Sequence, residues 1–150
     1  MGHGARLGEE HVSNETLASV LRLVGASHIA LALAHVVLWR LFDWSREIAQ
    51  LTPLTARVFA VHTFFIAFVL AALGALGLCR ADLLVVRSEL ARLLLGAIVL
   101  FWGLRVLAQP IVFDPVLLRG SRLRTPVRIA ATLLFSSYAA VYALALARQL

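Results

Sequence analysis

Four apolar stretches, at residues 23–42, 58–79, 93–113 and 127–147, constrain this chain more than any other feature of its sequence. A helix needs about 20 mostly apolar residues to cross the hydrocarbon core of a bilayer. Each stretch is close to that length, and together they take up more than half of the 150 residues. No large water-soluble domain fits in the remainder. Apolar residues make up 61% of the chain and the mean hydropathy is +0.90, well above the usual range for soluble domains.

The expected fold is therefore all-α: an antiparallel four-helix transmembrane bundle, built as a single membrane domain over residues 1–150. Residues 1–16 form a polar N-terminal segment, and the spans fall near 20–42, 53–79, 89–113 and 126–147. Helix starts are marked. Ser13 or Thr16 can cap the first helix, and Thr52 precedes Pro53 at the second. Ser88 precedes Glu89 at the third, and Thr125 precedes Pro126 at the fourth. Pro110 disturbs the far end of the third helix. Gly74 and Gly77 permit close approach of a neighbouring helix. The paired Thr-Pro starts, half a chain apart, hint at two related helical hairpins.

The formal charge is +6, and all 14 basic residues are arginine. These arginines are spread over short loops and form no compact patch, which fits anionic headgroups and excludes nucleic acid as a partner. The concentration of Arg119, Arg122, Arg124 and Arg128 in the third loop places loops 1 and 3 in the cytoplasm, with both termini opposite. Trp39 and Trp44 suit the headgroup level. Cys79 is the only cysteine, so an intrachain disulfide is impossible. The N-terminal segment carries Glu9, Glu10 and Glu15 and lacks the pattern of a cleaved signal peptide, so the first apolar segment serves as the insertion signal.

Polar side chains inside apolar segments are costly and call for an explanation. His28, His35, His62, Arg105 and Gln109 are the candidates. By a rise of about 1.5 Å per residue, His35, His62, Arg105 and Gln109 converge in the leaflet next to loops 1 and 3. Gln109 follows Arg105 by one turn, Trp102 precedes it by three residues, and His28 shares a face with His35. Asp43 and Asp114 are the nearest carboxylates for Arg105, Asp114 being the better placed.

Several readings stay open. Interhelical hydrogen bonding explains any one of these residues. A pocket of His35, His62, Arg105, Gln109 and Trp102, lined by Phe64 and Phe65, suits a quinone or a lipid headgroup, since a guanidinium binds acidic groups through a planar fork. Two histidines at similar depth on different helices suit haem, with His35 and His62 as axial ligands. A three-histidine copper or zinc site conflicts with the seven-residue separation of His28 and His35. Proton or ion movement along the histidines is a further reading. No phosphate loop, His-Glu-x-x-His or Gly-x-Ser-x-Gly occurs, so the balance is against an enzyme. Tyr138 and Tyr142, one turn apart, read as packing residues. Expected partners are the lipid bilayer and either a further copy of the chain or a membrane complex that it helps to assemble.

The stretch Leu51-Thr52-Pro53-Leu54-Thr55-Ala56-Arg57 leading to His62, and the stretch Phe101-Trp102-Gly103-Leu104-Arg105, resemble small bacterial four-helix membrane proteins of unassigned activity. The resemblance implies a bundle in the cell inner membrane and carries over no site residue. An arginine-only, Ala- and Leu-rich composition also suits a GC-rich bacterium.

Overall fold

The computed structural model describes residues 2–41, 44–112 and 124–150, and these are helical almost throughout, with no strand among them. The elements are α1 (Gly2–Leu41), α2 (Trp44–Ile48), α3 (Pro53–Val85), α4 (Glu89–Leu107), α5 (Gln109–Val112) and α6 (Arg124–Ala147). Four helical segments are long and apolar enough to cross a membrane: Asn14–Val37, Pro53–Val85, Glu89–Ile111 and Thr125–Ala147.

The start signals act as their chemistry demands. The Thr55 backbone N–H donates to Thr52 Oγ1 at 3.3 Å, and the Ala91 N–H donates to Ser88 Oγ at 3.1 Å, each satisfying a donor that the first helical turn leaves open. Pro110 coincides with the end of α4 at Leu107 and the short α5. Three boundaries differ from expectation. Helix α1 begins at Gly2, well before Ser13; the polar 1–16 segment contains no proline to stop it, and its glycines at 4 and 8 are accommodated. Helix α3 continues beyond 79 to Val85, although Arg80 departs from helical geometry at φ −137° and ψ 37°. Helix α6 starts at Arg124, ahead of Thr125. Phe113, Asp114, Arg119 and Arg122 lie outside the described residues, as does Asp43.

The chain divides into two compact units, Ala18–Ala81 and Met1–Leu17 with Asp82–Leu150. In the first, α1 and α3 pair in opposite directions. Leu21 meets Gly77, Ile29 meets Gly74, and Trp39 meets Phe59 with ring centroids 6.0 Å apart. The inward positions on α1 are Leu21, Gly25, His28 and Ala32, a spacing of four, three and four. On α3 they are Leu70, Gly74, Gly77 and Ala81. That alternation is the heptad seam of a left-handed helix pair. At its centre the backbones touch: a methyl group on Gly25 would lie 2.7 Å from the Leu78 nitrogen and 2.9 Å from the Gly74 oxygen.

The second unit repeats the plan with large residues in place of glycine. Ala91, Leu95, Ile98 and Trp102 of α4 face Phe135, Tyr138, Tyr142 and Ala145 of α6. Trp102 stacks on Phe135 at 5.3 Å and meets Tyr138 edge-on at 4.7 Å. Gln149 closes the opposite end. It is buried, its Nε2 donates to the carbonyls of Leu84 at 3.0 Å and Val85 at 3.3 Å, and its Oε1 accepts from the Ser88 N–H at 3.2 Å. One amide side chain thus satisfies the end of α3 and the start of α4 together.

In both units the outward surface is apolar: Leu33, Phe64, Leu90, Leu107 and Leu133 are all exposed. Buried positions include the polar His28, Gln109 and Gln149. Large apolar side chains are thus exposed on each long helix, while the other buried positions are apolar.

Candidate functional site

Each seam turns polar near one end, and the polar groups there are the sequence candidates. On α4 the seam continues from Trp102 to Arg105 and then to Gln109 of α5, by steps of three and four. On α6 it continues backwards from Phe135 to Thr132 and Arg128. The side chains join in one chain of hydrogen bonds. Arg105 Nη1 donates to Gln109 Oε1, Gln109 Nε2 donates to Thr132 Oγ1 at 3.2 Å, and Thr132 Oγ1 donates to the Arg128 carbonyl at 2.8 Å. The Arg105 guanidinium lies over the Phe135 ring, 4.6 Å from its centroid, a cation–π contact on the same ring that Trp102 stacks against.

Arg105, Gln109 and Trp102 are therefore brought together, as the sequence suggests, with distinct tasks. Trp102 is 2% exposed and forms the apolar floor. Gln109 is buried and bridges the two helices. Arg105 is half-buried and carries the charge. Its recorded partners among the described residues are an amide oxygen and an aromatic face, both neutral. A guanidinium has five N–H donors, and the bond to Gln109 engages one of them.

His35 and His62 belong to the other unit. His35 is half-buried, and its Nδ1 donates to the Leu31 carbonyl at 2.8 Å. It lines a cleft of about 410 Å³ together with Trp39, Arg40, Thr63 and Phe64. Val36 and the alanines at 60 and 67 complete the wall. His62 is exposed and does not line this cleft. The residues that do, at 60, 63, 64 and 67, form one stripe of α3, and at 100° per residue His62 is turned roughly 150° away from it. The His35–His62 pair that an axially ligated haem requires is consequently not formed. Similar depth along two helices does not give a shared facing. His28 is fully buried, its Nδ1 bonded to the Val24 carbonyl at 2.7 Å, and it acts as a core residue of the seam. Among the described residues no three His, Cys, Asp or Glu side chains cluster as metal ligands.

Thr132, Phe135 and Thr63 were not singled out by sequence reasoning as site residues. The signal was present as the seam itself, since Thr132 and Phe135 extend the Tyr138–Tyr142 spacing backwards and Thr63 extends the spacing of Leu70 and Gly74. No protein-family model, curated protein or solved structure matches this chain.

Proposed function

We propose that the chain is a multi-pass integral membrane protein of a bacterial inner membrane, its four long helices forming an antiparallel bundle, and that Arg105 receives an anionic lipid headgroup. Four segments of sufficient length with apolar outward surfaces support the membrane reading. The observation that carries the ligand is that the partners of Arg105 among the described residues are neutral. A guanidinium six residues, or about 9 Å, before Ile111 is costly in an apolar segment unless a counter-charge reaches it. Gln109 and Phe135 hold the group in place without neutralising it. A phosphate or carboxylate does so through two parallel hydrogen bonds to the fork.

The first expected result is topological. Reporter fusions at Arg46 and Asp82 report opposite sides of the membrane, with Arg46 and Arg122 together on the cytoplasmic side. A common side for Arg46 and Asp82 sinks the four-span reading.

The second concerns the ligand. In protein purified with native lipid, Arg105→Leu lowers retained anionic phospholipid about tenfold, the value of a charge-assisted hydrogen bond of about 1.5 kcal/mol, while the thermal transition persists. Arg105→Lys keeps the charge and loses the fork, so it retains an intermediate amount. Equal lipid retention by all three proteins would end the headgroup reading. Unfolding of both variants would instead assign Arg105 a structural role.

A further inference from the structure

The His35 cleft lies in a unit that contains neither Arg105 nor Gln109, so it is a second site with its own chemistry. Its polar inventory is lopsided. His35 places its Nδ1–H on the Leu31 carbonyl, which makes Nε2 of the neutral ring an acceptor. Thr63 places its hydroxyl hydrogen on the Phe59 carbonyl at 2.9 Å, which leaves its oxygen free to accept. The Trp39 indole N–H is engaged by Ser45 Oγ at 3.0 Å. The donors of these three side chains are thus directed elsewhere. What the inner part of the cleft offers a ligand is two acceptors, His35 Nε2 and Thr63 Oγ1. At the rim the exposed Arg40 supplies donors, five residues or about 7 Å further along α1.

We propose that this cleft binds a tailed hydroquinone: an aromatic ring whose inner hydroxyl donates to His35 and Thr63 and whose outer oxygen accepts from Arg40. Three features select this class. A head group must donate at depth and accept at the rim, which a ring with opposed hydroxyls does and a simple anion does not. The Trp39 and Phe64 rings that line the cleft offer flat surfaces against which a planar head packs better than a glycerol. Val36 and the alanines at 60 and 67 form an apolar wall along which a hydrocarbon tail lies. The inference shares only the membrane setting with the Arg105 reading and stands or falls on different residues.

The test uses the full chain in phosphatidylcholine nanodiscs and a radiolabelled hydroquinone with a decyl tail, with empty nanodiscs subtracted. Its partner probe is the corresponding quinone, which has the same ring but no hydroxyl to donate. The hydroquinone is expected to bind about tenfold more tightly than the quinone, the effect of one or two hydrogen bonds. His35→Phe keeps a ring but removes the acceptor, and Thr63→Val is close to isosteric and removes the other. Each variant is expected to weaken hydroquinone binding about tenfold and quinone binding by much less, so the preference for the reduced form disappears. His35→Gln restores an acceptor oxygen and recovers part of it. Equal binding of the two probes to the unaltered protein overturns the proposal, and that comparison requires no variant to fold. Uptake equal to that of empty nanodiscs overturns it too. So does displacement of the probe in phosphatidylglycerol nanodiscs, because the occupant is then the hydroxyl of a lipid headgroup.

Discussion

Gly25→Leu is expected to separate α1 from α3 and to cost about 3 kcal/mol or more, at or beyond the upper end for overpacking a close-packed interface. The reason is the nature of the obstacle. A Cβ at this position meets the Leu78 nitrogen at 2.7 Å, the Gly74 oxygen at 2.9 Å and the Gly77 carbonyl carbon at 2.9 Å, all of them backbone. A side chain can rotate away from such a clash, but helix backbone moves only as a body. Gly74→Leu meets the Ile29 side chain at 2.7 Å and the Gly25 oxygen at 2.9 Å, so part of its clash is relieved by a rotamer change and its cost is smaller. Reversible unfolding in mixed detergent measures both. Equal stability of Gly25→Leu and the parent would refute the close backbone contact. Gly103→Leu serves as a matched control, because beyond its own chain neighbours and local helix backbone no atom among the described residues lies within 4 Å of the position its Cβ takes.

Trp102→Ala is the second large effect, with an expected loss of about 3 kcal/mol, the lower end for removing a buried tryptophan. In a bilayer the transfer contribution shrinks, since lipid is as apolar as the core, and lost packing dominates. Phe135 loses its stacking partner at 5.3 Å and Tyr138 its edge contact at 4.7 Å. Phe135 also carries the Arg105 contact, so the variant is expected to lower lipid retention as well as stability. Trp102→Phe keeps a ring and is expected to lose about half as much, well within the range of large-to-small core changes. A full-strength thermal transition in Trp102→Ala would contradict the seam described for α4 and α6.

Much of the helix plan is legible in the sequence because it depends on local chemistry. Thr52 and Ser88 start their helices through bonds within the first turn, and apolar length marks the spans without reference to any partner. The Arg105–Gln109 contact is likewise local, one turn along a single face. Facing is less legible. His62 is counted to a depth similar to that of His35 but lies on the other side of α3 from the cleft, and depth counting is blind to rotation about the helix axis. Gly25 passed unremarked for a similar reason. A single glycine in an apolar helix looks alike whether it touches a neighbour or not, and only the seam spacing through Leu21, Gly25 and His28 distinguishes it from Gly96 or Gly103. Thr63 and Thr132 satisfy themselves on their own helices, so nothing in their immediate sequence signals the cleft or the bridge.

The two seams differ in when their partners come into existence. A ribosome releases the chain from the N-terminus, and the glycine contacts joining Leu21, Gly25, Ile29, Gly74, Gly77 and Leu78 are all complete in sequence before Asp82 is made. That pair can assemble while α4 is still being synthesised. The pair formed by α4 and α6 follows another timetable. The Leu84 carbonyl must wait for the amide of Gln149, 65 residues later, and until then the end of α3 lacks this partner. Vectorial synthesis therefore delivers one helix pair already closed and a second that closes only as its last turn emerges.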